Sequence, residues 1–481
     1  MEKKLEKNIK NIQEYFENSE QLIVKKIKSC DVMCAVIYIV GLNDSELLSK
    51  FVITPLKENT KKISSIQYLC ENVLTLGETI SSEGLKDFSE KLLKGKALLL
   101  VDGFEEGVIL GVDKFKERAI AEPPTSAVLK GPRAGFVESL LTNLATLRKI
   151  VATPKLKTKN VIVGKYTQTS VSLVYIDGIA DNGIVKKIED KLNSISIDGI
   201  IDSNYIAGFL EENPSSIFKQ VGSSEKPDVI ASKILEGRIA IIVDGSPMVL
   251  TLPYVYIEDL QSGDDYYNNG ARATFVRWLR IVSIFISMLT PALYIAIILH
   301  HYKAIPLKFL ITIINTTKGL PLTPFAEILF VLILFELLYE ASLRMPKYLG
   351  LALSIVGALI LGDTAVKAGL ISPPAVMIVA ISGLTIYCVP DQAPQLYIFR
   401  MLFTLAGGML GFFGITALMI FLVSYLVDFN SYGTPYFAPV APLIPSDLKD
   451  SLYKGDIIHM KTRPKSIKNN KKNIRRENVD D

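Results

Sequence analysis

The sequence predicts an α/β soluble N-terminal region, built from two duplicated α/β subdomains with mixed sheets, followed by an all-α polytopic membrane domain. Two observations support this. Strand–turn–helix patterns occur twice, in the same order, before residue 270, and long apolar segments with few charges follow. About 20 apolar residues make a helix long enough to cross a bilayer. The mean hydropathy of +0.31 over 481 residues agrees with a large apolar part beside a polar one.

The first 29 residues predict a charged N-terminal helix. They contain no signal-peptide pattern, so we expect the front half to stay in the cytoplasm. The four cysteines lack the spacing of a disulfide framework, which favours free thiols in a reducing compartment. Because the chain has three histidines, we expect no metal site, no cofactor and no His-based catalysis.

Residues 30–121 predict the first α/β subdomain. An apolar strand over residues 32–40 runs into Asn43-Asp44, which can cap a helix over residues 45–56. Further on, Asp102-Gly103 lies between two apolar runs, and glycine accepts the positive φ of a tight turn. We therefore predict a hairpin there, with the aspartate in a turn and not in a catalytic role.

The same order recurs in residues 158–270, the second α/β subdomain. YIVGLND (38–44) aligns with YIDGIAD (175–181), and SEKLLKGKALLLVDGF (89–104) aligns with ASKILEGRIAIIVDGS (231–246). In the second pair of segments, a helix ends at a glycine, a basic residue follows, and a buried strand leads to Asp-Gly. We interpret this as an internal duplication.

Residues 122–157 predict a connecting helix between the subdomains. Apolar residues recur at helical spacing from Phe136 to Leu147. Gly131-Pro132-Arg133 resembles a phosphate-binding turn, but neither GxxxxGK[ST] nor a strand-following GxGxxG occurs, so we do not expect nucleotide binding. The linker residues singled out are Gly131, Pro132, Arg133, Glu138, Asn143 and Arg148.

The membrane domain, residues 271–430, has about five hydrophobic segments, which are residues 281–300, 324–343, 349–370, 373–389 and 399–427. Residues 303–322 contain prolines and lysines and look interfacial or re-entrant. A polar basic tail, residues 431–481, favours the cytoplasm and contact with anionic lipid. Five full crossings are incompatible with a cytoplasmic front and a cytoplasmic tail. We therefore predict an even number, with one candidate re-entrant or residues 303–322 entering the membrane.

Ionisable residues at membrane depth cost a few kcal/mol each, so they invite a functional hypothesis. Two interpretations stay open. The side chains neutralise one another or reach the interface, or they line a hydrated path for cations or a surface for a partner subunit. The candidates for an ion path are Glu327, Glu336, Glu340, Asp363 and Lys367. Glu336 and Glu340 share a helix face, and Asp363 and Lys367 are spaced to pair.

Seven motifs resemble the A subunit of the GerA family of bacterial spore germinant receptors. They span roughly residues 120 to 445 in the family's order. One departure is Gly362-Asp363, where the family has Gly-Gln, which places a charge inside an apolar segment. The motifs are EPPTSAVLKGPRAGFVESLLTNLATLRKI, VYIDGIADNGIV, IDGIIDSNYI, KPDVIASKILEGRIAIIVDGSPMVLTLP, LTPALYIAI, RMPKYLGLALSIVGALILGDTAVKAGLISPPAVMIVAISGLT and GTPYFAPVAPL.

The resemblance implies a non-enzymatic receptor subunit in the spore inner membrane, with its N-terminal domain and tail on the cytoplasmic side. It implies a transporter-like B subunit and a lipoprotein C subunit as partners, with homo-oligomers that form or gate an ion-conducting path when the partner binds nutrient. The alternative is a transporter or scaffold subunit that conducts nothing itself. The basic tail lacks interleaved aromatics, so we expect no nucleic-acid partner.

Overall fold

A computed structural model describes residues 1–16, 21–82, 84–112, 131–344, 363–455 and 462–470. The chain forms two compact units. The α/β unit contains Met1–Pro214, Lys219–Tyr254 and the chain from Lys461 on. The helical unit contains Ser215–Phe218 and Val255–Met460. Each unit has its own core and is described separately.

The first repeat of the α/β unit is a five-stranded sheet in the order β1-β2-β4-β5-β3 with helices on its faces. Every described strand pair is antiparallel, so the predicted mixed sheet is corrected to an antiparallel one. The reason is that β1–β2 and β4–β5 are hairpins, which can only pair antiparallel. The elements are α1 (Leu5–Tyr15), β1 (Leu22–Ser29), β2 (Val32–Ile39), α2 (Ser45–Leu48), α3 (Thr54–Glu58), α4 (Ile66–Tyr68), β3 (Thr79–Ser82), α5 (Leu85–Leu93), β4 (Ala97–Val101) and β5 (Gly107–Leu110), with π-helical turns at Ser49–Ile53 and Leu69–Val73.

The second repeat has the same strand order, β6-β7-β9-β10-β8, and its described pairs are again antiparallel. Identical order in two separate sheets supports the predicted duplication. The elements are α6 (Leu140–Ile150), β6 (Leu156–Val163), β7 (Thr169–Ile176), α7 (Asn182–Ser194), α8 (Ser203–Leu210), β8 (Gly222–Ser224), α9 (Pro227–Glu236), β9 (Ile239–Val243) and β10 (Val249–Leu252).

The Asp-Gly turn of each repeat caps the first helix of that repeat. Asp102 Oδ1 accepts a hydrogen bond of 3.0 Å from the backbone N–H of Leu5, at the start of α1. Asp244 Oδ1 accepts one of 3.0 Å from Leu140, at the start of α6. A carboxylate at a helix N-terminus satisfies N–H groups that have no partner within the helix. The predicted turns are therefore confirmed, and each also caps a helix.

A matched asparagine shows that α6 corresponds to α1. Asn8 bonds both backbone polar groups of Glu2, and Asn143 bonds both of Val137. The helix predicted to connect the subdomains is therefore the first helix of the second repeat. Within the predicted linker 122–157, residues 122–130 lie outside the described residues.

The predicted N-terminal helix over residues 1–29 is wrong beyond Tyr15, since Leu22–Ser29 forms β1. The reason is a change of period: Leu22 and Ile27 are buried in the sheet. The helix α1 is not a solvated arm, because its apolar stripe lies in the core with strands of the first sheet; the stripe consists of Leu5, Ile9, Ile12 and Phe16.

The helical unit contains two helices long and apolar enough to cross a membrane, judged by length and composition among the described residues. They are Gly270–His300 and Pro390–Asp428. The helices of the unit are α10 (Gly263–Tyr267), α11 (Gly270–His300), α12 (Leu307–Thr317), α13 (Pro324–Arg344), α14 (Ala365–Lys367), α15 (Pro373–Ile386) and α16 (Ala393–Asp428), with a 3₁₀ segment at Tyr256–Leu260. At 1.5 Å per residue α12 is about 16 Å long, too short to span, as expected for residues 303–322.

The helix α16 is a hairpin of two arms, residues 393–410 and 412–428, joined at Gly411. Gly411 has φ +59°, outside the helical range. A Cβ on Gly414 would collide with the Ala406 carbonyl, although eight residues would lie about 12 Å apart in a straight helix. The single segment predicted over residues 399–427 is therefore wrong: a left-handed glycine turns the chain back on itself, which apolar composition alone does not reveal.

The contacts fix the direction of each helix. We call the end where α11 begins the lower end and the end at His300 the upper end. Ile295 of α11 lies in one buried cluster with Ile328 of α13 and Ala375 of α15, so both helices begin at the upper end. Ile284 packs with Ile386, so α15 descends. The helices α13 and α15 therefore run parallel. The predicted segment 349–370 lies outside the described residues as far as residue 362.

The predicted basic tail is folded over most of its described length. The strands β11 (Asn430–Ser431) and β12 (Thr434–Pro435) pair, and the Tyr436 that follows is buried in the helical unit. Further on, Ile467 is buried and Asn469 bridges to Ala180 in the α/β unit. Apolar residues spaced between the lysines hold this segment, which the overall charge conceals; residues 471–481 lie outside the described residues.

Candidate functional site

The first of the predicted intramembrane glutamates, Glu327, caps a helix. Its side chain is buried, and Oε1 accepts a short hydrogen bond from the backbone N–H of Ser372. Ser372 is the N-cap of α15, and its Oγ accepts from the N–H of Ala375 at 3.4 Å. The partial positive charge of a helix N-terminus stabilises a carboxylate there. Glu327 therefore fixes the upper end of α13 to the upper end of α15.

The second, Glu336, forms a buried ion pair with Arg400, a residue that the sequence analysis did not single out. Glu336 Oε1 accepts a short bond from Arg400 Nη2. The Arg400 side chain is 3% exposed and that of Glu336 is 29% exposed. Arg400 Nη1 lies 3.3 Å from Ser382 Oγ, which in turn donates to the Ser287 carbonyl at 2.6 Å. We call these four residues the polar network.

The polar network joins four helices: α13, α16, α15 and α11. Three tyrosines surround its ion pair. The ring of Tyr339 lies 5.1 Å from that of Tyr397 and 6.1 Å from that of Tyr387. The Arg400 guanidinium carbon lies 5.4 Å from the centroid of Tyr397, a cation–π distance. An ion pair in an apolar unit is stable only where its geometry and further hydrogen bonds offset desolvation, and this one has both.

The other three predicted ion-path residues pair with neighbours on their own helical turns. Glu340 binds Arg344 at 2.8 Å, and both side chains are exposed. Asp363 binds Lys367 at 2.8 Å, also exposed. The five predicted residues thus do not converge on one point. The spacing of four residues predicted the Asp363–Lys367 pair correctly, but the shared face of Glu336 and Glu340 did not give them a shared partner.

A second cluster of buried charges lies at the lower end of α11. Arg277 is fully buried, its Nε donating to Asp265 Oδ2 at 3.1 Å and its Nη1 to the Asp450 carbonyl at 2.7 Å. Arg280 binds both Asp265 oxygens, at 2.8 and 3.1 Å. Lys454 donates to the Asp265 carbonyl. Arg277 thereby holds the returning C-terminal segment against α11, while Arg280 holds α10 through Asp265.

Of the six predicted linker residues, Asn143 and Arg148 are buried in the second repeat, and the other four are exposed. Gly131 has φ +115°, which favours glycine, and the Glu138 carbonyl accepts from Gly245 N at 2.8 Å. Arg148 is buried, and desolvation lowers its pKa to about 10. Pro132 and Arg133 are exposed. No group of three or more His, Cys, Asp or Glu side chains suited to a metal occurs in the described part of the chain.

The sequence carried one usable signal for the missed site. Arg400 lies one residue inside the apolar run that begins at Phe399. The sequence therefore puts a cation in the predicted membrane domain, together with three glutamates that have no assigned partner. Since intramembrane charges usually pair with one another, Arg400 could have been predicted as the partner of one of these glutamates. Ser382 and Ser287 carry no such signal, because serine is common wherever membrane helices approach closely.

The chain thus combines a duplicated α/β unit with an apolar helical unit that contains a buried polar network. This combination defines a class of membrane-associated protein. The chain belongs to the GerA family. The family model described as "Bacillus/Clostridium GerA spore germination protein" matches residues 10–466. The chain is thus a member of a family of spore germination proteins, and its long apolar helices fit a membrane protein.

Relatives match over nearly the full length. Spore germination protein KA of Bacillus subtilis (strain 168) is 35% identical over 470 residues, which cover 96% of this chain and 86% of that protein. The uncharacterized membrane protein YfkQ of the same organism is 32% identical over 483 residues, 99% and 94% of the two chains. A solved structure, the N-terminal domain of the A subunit of the Bacillus megaterium spore germinant receptor GerK3, is 29% identical, covers 53% of this chain and 97% of that one, and has a TM-score of 0.41.

Proposed function

We propose that this chain is the membrane subunit of a nutrient germinant receptor and that it oligomerises to form or gate an ion-conducting path when a partner subunit binds nutrient. Family membership supports the role in germination. Relatives named spore germination proteins A1 and B1 of Bacillus subtilis support a multi-subunit complex. The partners we expect are a transporter-like B subunit, a lipoprotein C subunit, further copies of this chain and membrane lipid.

The observation that carries the gating proposal is the polar network. It is the point where side chains of four helices, α11, α13, α15 and α16, meet through charge and hydrogen bonds. Separating Glu336 from Arg400 leaves a buried charge without its partner, which is costly, so the bundle has one strongly preferred packing. A bound partner can bias such a packing only by favouring one arrangement over another. We place the gate at this network.

We propose the spore inner membrane as the location, with the N-terminal domain and the tail on the cytoplasmic side. The chain leaves the α/β unit after Tyr254 and belongs to it again from Lys461. Both ends of the helical unit therefore lead to the same soluble unit, which supports an even number of crossings. The hairpin of α16 supplies the descending arm that the sequence analysis lacked.

Ion flux across liposomes tests this function. The purified receptor complex is reconstituted, a mixture of amino acids and glucose is added, and potassium release is recorded. We expect nutrient-dependent release from the native complex and its loss in Glu336→Gln, with Glu340→Gln as the control because its exposed partner is on its own helix. A correctly assembled complex that releases no potassium would refute the conducting role.

The second candidate, a scaffold or transporter subunit without conduction, is favoured by the local pairing of Glu340 and Asp363, which leaves those carboxylates neutralised. It predicts spores that lose nutrient germination when the chain is absent, while reconstituted complexes show no flux with either the native chain or the variants.

A further inference from the structure

One loop of the second repeat carries residues that belong to the helical unit. Ser215–Phe218 are part of the helical unit, whereas Pro214 and Lys219 on either side belong to the α/β unit. We call residues 213–220 the Phe218 loop. What the tip contacts within the helical unit therefore decides what the loop does.

The neck of the Phe218 loop is closed by one buried side chain. Gln220 Oε1 accepts from the backbone N–H groups of Glu212 and Asn213, both at 3.0 Å. Gln220 Nε2 donates to the Asn213 carbonyl at 2.5 Å. These three hydrogen bonds of one side chain hold together the two chain segments at the base of the loop. Because these bonds close the neck, the loop loses little conformational entropy when its tip packs against other residues.

The tip places the Phe218 ring in an aromatic cluster. The ring is 6% exposed. It stacks on Phe399 with centroids 5.3 Å apart and on Tyr425 with centroids 5.9 Å apart. Its edges contact Tyr256 at 6.5 Å and Tyr436 at 6.4 Å. These are the offset-stacked and edge-to-face distances at which aromatic rings attract one another.

The two stacked partners lie on different arms of the α16 hairpin. Phe399 is in the ascending arm and Tyr425 in the descending arm, at the end away from Gly411. The Phe218 ring therefore contacts both arms where no covalent turn joins them. Phe399 also directly precedes Arg400, so a shift of the Phe399 backbone moves the cation of the polar network.

We infer that Phe218 couples the two arms of α16: it is a positioning residue that sets their spacing and so the Arg400–Glu336 pair. The inference rests on the proposed function, because it names a residue that positions the network in which that function resides. A ring buried between two helices is well suited to this, since packed interfaces switch between arrangements and do not deform continuously.

The test uses spores that carry full-length variants at the native position. Germination is followed as loss of optical density in serial dilutions of a fixed mixture of amino acids and glucose. For Phe218→Ala we expect the half-maximal concentration to rise about threefold or more, the factor that loss of a stacked pair gives. Tyr425→Ala should shift it in the same direction. The double variant should shift it by no more than the larger single effect, since both remove one coupling.

Ile217→Ala is the matched control, because Ile217 lies next to Phe218 in the same loop and its side chain is 46% exposed. It should leave the curve unchanged. Immunoblots of the spore membrane report receptor amount, and Gln220→Ala, which leaves every ring in place, should also raise the half-maximal concentration by loosening the neck. If Phe218→Ala lowers the receptor amount, the half-maximal concentration of Gln220→Ala is used to test the inference instead.

Wild-type dose responses for Phe218→Ala and Gln220→Ala at normal receptor amount would overturn the coupling role, as would additive single effects. A change in spontaneous germination with an unaltered nutrient curve would also overturn it. Failure of the proposed function is distinguished by a strain that lacks the whole chain: if that strain germinates normally on the mixture, the receptor assignment fails, whatever the Phe218 variants do.

Discussion

At the residue scale, burial and not charge alone decides which ionisable groups matter in this chain. Glu336, Glu340 and Glu327 are one residue type on one helix, yet one pairs with a buried arginine, one with an exposed arginine, and one caps a helix. Exposed i,i+4 pairs contribute little because water competes for both charges. A buried charge has no such alternative, so its partner becomes indispensable.

The Arg400–Glu336 pair should respond asymmetrically to the loss of either partner. Glu336→Gln strands a guanidinium that is 3% exposed, so we expect the free energy of unfolding to fall by about 3 kcal/mol. Arg400→Met should cost less, because Glu336 is 29% exposed and water can solvate its carboxylate. Thermal unfolding of the purified chain in detergent measures both.

Glu340→Gln is the control for this pair, with an expected cost of about 0.5 kcal/mol or less, since its salt bridge is exposed. A cost for Glu340→Gln equal to that for Glu336→Gln, or a greater cost for Arg400→Met than for Glu336→Gln, would contradict the argument from burial.

At the element scale, the sequence predicted what local periodicity encodes and missed what depends on a single backbone angle or a distant partner. The strand over residues 32–40 and the start of the helix after Asp44 were predicted within a few residues, because an apolar run and an Asx cap are local signals. The hairpin of α16 was missed because its apolar composition is continuous through Gly411. The role of α6 was missed because its equivalence to α1 appears only in the contacts of Asn8 and Asn143.

The turn at Gly411 should tolerate no side chain. Gly411→Ala forces alanine into φ +59° and brings its Cβ to 3.1 Å from the His300 Cβ. We expect a loss of about 2 kcal/mol or more in unfolding free energy, from backbone strain and displacement of the α11 end. Gly319→Ala is the matched control: its φ is +88°, but nothing lies within 4 Å of the added Cβ. It should show the backbone cost alone, roughly 1 kcal/mol.

Melting curves in detergent compare the two glycine variants directly. Equal midpoints for Gly411→Ala and Gly319→Ala would mean that the packing of His300 against the turn contributes nothing, and would count against a tightly fixed hairpin.

At the scale of the whole molecule, duplication and return of the chain organise the fold. The two repeats have the same strand order, and in each an Asp-Gly turn caps the first helix. The same packing arrangement therefore occurs once in each half of the α/β unit. The C-terminal segment then adds Ile467 to the core of the second half. Alternating hydropathy could predict the halves, but the return of the tail could not be predicted, since a lysine-rich segment with a few apolar residues is typical of a solvated tail.

The return of the chain predicts which residues share a side of the membrane. With the native cysteines replaced by serine, single cysteines are introduced at three exposed lysines: Lys165 in the second repeat, Lys465 in the C-terminal segment, and Lys318 beyond α12 at the upper end. Sealed right-side-out vesicles are treated with a membrane-impermeant maleimide before and after permeabilisation. On the proposed topology, an even number of crossings separates Lys165 from Lys465, and α11 separates both from Lys318. Lys318→Cys should therefore react before permeabilisation, and the other two only afterwards. Opposite labelling of Lys165→Cys and Lys465→Cys would require an odd number of crossings, which the packing of Asn469 against Ala180 in one unit forbids.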